Sequence, residues 1–134
     1  MPPERFAADD PREWISRARS SLRKARQTAP GIYLEDLCFD AQQAAEKAIK
    51  AVLLQRGISF PYIHDLGRLL ELLAQAGESI PEDVREAAKL SDYAVLTRYP
   101  LPGVLVDRTA YEAAIRIADD VVHWAAGLIS TPGG

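Results

Sequence analysis

The sequence predicts an all-α fold, an up-and-down bundle of four to five antiparallel helices. Three observations predict it. Five stretches repeat apolar residues at intervals of three and four, the period of a helix. No stretch alternates with period two for long enough to make a strand. The connections are short and built on Pro and Gly, so successive helices should be mostly antiparallel.

The first helix starts at Asp10-Pro11-Arg12-Glu13. Asp10 can cap, Pro11 suits the first helical position, and Glu13 can reach back to complete a capping box. Ile15, Ala18, Leu22, Ala25 and Ala29 share a face, and Pro30-Gly31 ends the pattern. The second helix, Tyr33 to Arg56, is the longest and ends at Gly57, which suits a left-handed cap. After "ISFPYI" the third runs from about Asp65 to Ala76, with Leu66, Leu69, Leu70 and Leu73 inward. Pro81 opens a fourth, whose stripe is Val84, Ala88, Ser91 and Val95, and Pro100 stops it. Asp107 can cap a fifth that reaches about Ile129.

These elements make one domain, residues 1–134, with 1–9 and 130–134 expected to fray. No apolar run approaches the roughly 20 residues of a membrane span. The start "MPPERFAADDPREW" lacks the basic and apolar regions of a secretory signal, which makes the cytoplasm the expected location. One cysteine and two histidines leave little for a metal site, and no cofactor is implied. The net charge of −3 argues against bulk coating of nucleic acid, but its distribution is uneven. Arg12, Arg17, Arg19, Arg23, Lys24 and Arg26 face one acid, Glu13, in the first helix, whereas Glu71 to Asp92 is acidic. That polarity fits an acidic partner, an oriented oligomer or a phosphate site, and equally two solvated faces of opposite sign.

The second helix carries two stripes. Leu34, Leu37, Cys38, Ala41, Ala45, Ala48 and Val52 make a core face whose alanines let a neighbour approach closely. Cys38 within it reads as a buried, inert thiol. Phe39, Gln42, Gln43, Glu46 and Lys50 make the other stripe. An aromatic plane among amides and a carboxylate suits a dimer seam, formed by Phe39, Gln42 and Gln43, or a groove for a base. The plainer reading is a phenylalanine under a loop beside a surface Glu46–Lys50 ion pair worth a few tenths of a kcal/mol.

"CFDAQQAAEKAIKAVLLQRG", then "HDLGRLLELL", then "LTRYP" resembles the HEPN domain (higher eukaryotes and prokaryotes nucleotide-binding), in the branch often encoded beside a minimal nucleotidyltransferase. The likeness runs from Trp14 to the last helix. It implies a helical bundle, usually dimeric, with a polar groove near the dimer seam. Some HEPN proteins are metal-independent ribonucleases and toxins; others are nucleotide-binding, antitoxin-like or scaffolding partners.

The ribonuclease members carry an arginine followed, after four to six positions, by a histidine. Such a pair could move the proton of a ribose 2′-hydroxyl and stabilise charge on phosphate. Counting from Arg98, those positions hold Gly103, Val104 and Leu105, so the pair is missing and no catalytic residue is assigned. Arg116 and His123 have the spacing by accident; with Asp119 and Asp120 they read as a solvated stripe of i, i+4 pairs. His64-Asp65 opens the third helix in the family's "HDL" position, and Asp65 favours the positive end of its dipole. Arg98 continues the fourth helix's stripe and can cap it while reaching a groove, and Tyr99, held extended by Pro100, can stack or pack.

The sequence therefore points to a HEPN module whose groove is lined by Arg98, Tyr99, His64, Gln43, Glu46 and Lys50. Its expected partners are a second copy of itself, a minimal nucleotidyltransferase in a toxin–antitoxin-like pair, and a nucleotide or RNA, with no membrane. The alternative is a metal-independent ribonuclease with a degenerate Arg/His site.

Overall fold

Helices α1 (Pro11–Ala25), α2 (Leu34–Gln55) and α3 (Leu66–Gln75) lie where the apolar spacing puts them. After them come α4 (Glu82–Arg85), a 3-10 segment (Glu86–Leu90), α5 (Tyr93–Leu96) and α6 (Arg108–Ile129). The computed structural model describes residues 2–96 and 106–129, with Val95 and Leu96 described by backbone alone. Arg98 and Tyr99 lie outside the described residues. Among the described residues there is no strand, and no helix is long and apolar enough to cross a membrane.

Aspartates start three of the helices. Asp10 accepts from Arg12 N–H at 2.8 Å, Asp65 from Arg68 N–H at 3.2 Å and Asp107 from Ala110 N–H at 2.8 Å. Each such cap contributes about 1 kcal/mol. The capping box at α1 does not form. Glu13 reaches past Asp10 and accepts from Phe6 N–H at 2.9 Å, which ties the leading segment to the helix. Gly57 ends α2 with a φ of 70°, and the next N–H, on Ile58, returns to Leu53 C=O at 2.9 Å. That closure needs a left-handed residue, and it turns the chain back along the helix it has just left.

Helix α2 is the centre of the molecule, packed by α1, α3, α5 and α6. Tyr111, in the first turn of α6, donates its hydroxyl to Ala25 C=O at 2.6 Å at the end of α1, so those two helices are antiparallel. Lys47–Ser21 and Lys24–Asp40 contacts give the same relation between α1 and α2. The core joins Ile15, Leu22, Leu37, Ile49, Leu53, Leu69, Leu73, Val121 and Val122. Alanines at 41, 44, 45, 48 and 51 are fully buried, which is how three helices approach the same axis.

Two expectations fail for geometric reasons. The fourth helix is three short pieces, and its buried residues are Val84, Ala87, Leu90 and Ala94, while Ala88 is exposed. A 3-10 turn holds three residues rather than 3.6, so the inward stripe shifts from every third or fourth residue to every third. Ala29, placed on the first helix's apolar face, is exposed beyond the end of α1.

Candidate functional site

In α2, Gln42, Glu46 and Lys50 stand one turn apart on one line, so their side chains meet. Gln42 Nε2 donates to Glu46 Oε1 at 2.9 Å, and Lys50 Nζ donates to Glu46 Oε2 at 3.0 Å. The loop between α2 and α3 supplies a third partner: His64 Nδ1 lies 2.8 Å from Glu46 Oε1. Gln43 Nε2 donates to Gln42 Oε1 at 2.8 Å, which extends the chain of polar groups toward the surface. The Lys50 ammonium also sits 5.5 Å from the centre of the Phe60 ring.

The cluster is inside the protein. Gln42 is 0% exposed, and Glu46 and Lys50 are each 5% exposed. Burial on its own would raise the Glu46 pKa, but hydrogen bonds from His64, Lys50 and Gln42 outweigh it and hold the carboxyl below its ordinary value. Among the described residues, every buried side-chain nitrogen or oxygen has a hydrogen-bond partner.

The polar stripe of α2 is therefore not the open face its spacing implied. Gln42, expected at a dimer seam, is enclosed within the chain, because neighbours cover α2 on nearly every side. It braces Glu46 and Gln43 instead of meeting another molecule. The Glu46–Lys50 pair is likewise a buried pair and not a surface one. What remains near solvent is the half-buried Phe39 and Gln43 and the half-exposed His64.

His64 is the reactive-looking edge of this arrangement. When its Nδ1–H donates to the buried Glu46 carboxylate, Nε2 carries the lone pair on a ring that is 53% exposed. Such a held imidazole can accept a proton or a hydrogen bond from an incoming group. Asp65 next to it is committed to capping α3. Tyr62, two residues before His64 and fully exposed, lies on the same loop and was not singled out by its sequence position.

The other candidates separate. Arg116 reaches Glu86 Oε2 at 3.2 Å on the 3-10 segment and Asp120 Oδ2 at 3.8 Å. Asp119 Oδ1 instead takes Arg26 Nη2 of α1 at 2.7 Å. These residues hold neighbouring arms to α6 and do not converge with the exposed His123 on a common point. Cys38 is fully buried, and burial pushes its thiol up to about 11, far from a nucleophile's range.

A central helix packed by α1 antiparallel to it and by α6 running the same way, with a polar cluster that fixes one loop histidine, defines a helical-bundle domain of the HEPN type. The profile of the HEPN domain matches residues 11–128, and the chain belongs to that family. Two solved structures resemble it closely in fold. One is ST0689, an archaeal HEPN homologue, with a TM-score of 0.72 and 29% identity over 90% of this chain and 98% of that one. The other is TT1696 from Thermus thermophilus, with a TM-score of 0.72 and 36% identity over 87% of this chain and 96% of that one. No curated protein matches the chain.

Proposed function

We propose that this HEPN domain is a dimeric binding module that takes a nucleotide, an RNA end or a partner protein at the groove beside α2. The partner would be a minimal nucleotidyltransferase, in a toxin–antitoxin-like pair. The observation that carries this reading is Glu46. Burying a carboxylate is costly, and here it holds a surface histidine in one orientation rather than only closing the core. Gln43 and His64 would form the accessible floor and Glu46 and Lys50 its support, with Arg98 and Tyr99 proposed as further lining residues. Phe39 and Gln43 would lie at the seam with the second copy.

Two measurements test it. Sedimentation equilibrium should give twice the monomer mass; a monomer at all concentrations removes the dimer. Titration calorimetry with nucleotides, short RNAs and the candidate partner should give binding that Arg98→Ala and His64→Ala weaken. Unchanged affinity in both variants removes the groove.

The held imidazole also favours a second reading, a metal-independent ribonuclease that uses His64 as its proton acceptor. In that case the protein should cut single-stranded RNA with chelator present, and His64→Ala should stop it. A panel of RNAs left intact would eliminate the idea.

A further inference from the structure

A cleft beside Lys47 lies between the leading segment, α1 and α2. It has a volume of about 400 Å³ and is lined by Arg5, Phe6, Glu13, Trp14, Arg17 and Lys47. None of these residues is among those assigned to the proposed groove beside α2. Three cations stand here against one carboxylate, and that carboxylate is engaged. Glu13, 5% exposed, accepts from Phe6 N–H at 2.9 Å and Arg17 Nε at 2.7 Å, with Arg5 Nη1 at 3.9 Å. One acid thus gathers two guanidinium groups, each of which has N–H donors in reserve.

Lys47 is the unusual member. Half-buried, it donates to the neutral hydroxyl of Ser21 at 2.9 Å, and among the described residues no carboxylate pairs with it. Burial first, then the charges of Lys24 and Arg17, push its pKa below the ordinary lysine value, against the smaller opposing pull of Asp40 and Glu46. An ammonium whose cationic neighbours outweigh its acidic ones gains from an anion that reaches it. Beside it, Trp14 is fixed by its indole N–H, which donates to Ala8 C=O at 2.8 Å, while its ring stays partly exposed. Phe6 adds a second ring, braced by the Arg12 guanidinium at 4.3 Å from its centre.

We propose that this cleft binds a dianionic phosphate, free or as the 5′-phosphate of a nucleotide, through Arg5, Arg17 and Lys47. The excess of two positive charges matches the ligand, and guanidinium groups suit phosphate geometry. Trp14 and Phe6 offer a base its stacking surface.

Titration calorimetry of the full chain at low salt tests this with adenosine 5′-monophosphate, inorganic phosphate and adenosine. Both phosphate-bearing probes should bind and adenosine should not; tighter binding of the nucleotide assigns the site to it, and equal binding to the free anion. Lys47→Met and the exposed Arg17→Gln should each weaken binding about tenfold or more, the loss expected for one charge-assisted contact. Arg108→Gln, which removes an equal charge from α6, should change nothing. The proposal is overturned if neither phosphate probe binds, if adenosine binds as tightly as its monophosphate, or if both cleft variants keep full affinity. Binding lost in His64→Ala but intact in Lys47→Met puts the nucleotide in the first groove and overturns it too.

Discussion

Helix α2 sets Gln42, Glu46 and Lys50 at four-residue intervals, and α6 does the same with Arg116 and Asp120 and with Asp119 and His123. On paper the two stripes are interchangeable. In the fold, the first is enclosed and bonded within itself, and the second is mostly exposed and reaches outward to Glu86 and Arg26. The difference lies in the neighbours. Five elements, the 3-10 segment among them, and a returning loop surround α2, whereas α6 has a free side. The same spacing therefore yields a desolvated cluster in one helix and weak, solvent-screened links in the other.

The largest expected effect comes from emptying the enclosed cluster. Glu46→Leu leaves Lys50 buried without its carboxylate and should cost about 3–5 kcal/mol in urea unfolding. Adding Lys50→Met removes the stranded charge and should recover most of that loss. A single variant as stable as the parent would place α2 in the same class as α6.

Acid should act on the two stripes with opposite sign. The Glu46 pKa is lowered in the folded state from an ordinary value of 4.5. Its contribution is thus complete above about pH 4.5 and drains away as pH falls through the folded-state value. Asp120 is shifted upward, first by burial and then by Asp83, so its ionisation opposes folding at neutral pH. Unfolding midpoints from pH 7 down to pH 2 should show a loss in the parent that is blunted in Glu46→Gln. Asp120→Asn should leave stability level or slightly higher at neutral pH, and a clear loss there would refute the sign.

His64→Ala should sit between the extremes, costing about 1 kcal/mol because one hydrogen bond goes but the histidine is already half in water. Its larger consequence should be in binding, which calorimetry reads separately from stability. Smallest of all, Arg116→Ala should fall within about 0.5 kcal/mol of the parent in the same unfolding assay. A loss several times larger would mean that the α6 links are not solvent-screened.

The residues foretold much of this, and the exceptions share a cause. Asp10 and Asp107 were readable as caps, Asp65 as an acid at the positive end of a helix dipole, and Leu66, Leu69, Leu70 and Leu73 as one inward face, because those signals are local. The family was readable from its three motifs. The burial of Gln42 was not, since an amide on a helix does not reveal what covers it. Nor was the His64–Glu46 bond, which joins residues 18 apart through a loop that doubles back. The 3-10 winding hid the stripe of Val84, Ala87 and Leu90 by changing the period against which the stripe was counted.

That doubling back turns the segment from Gly57 to Asp65 into a ruler. One inserted residue adds roughly 3.3–3.6 Å of reach, more than the whole tolerance of a hydrogen bond. An extra residue there would carry the imidazole off its carboxylate even if every side chain were kept. Tyr62, fully open to solvent, can change its chemistry freely, so at that position only the length of the stretch is constrained.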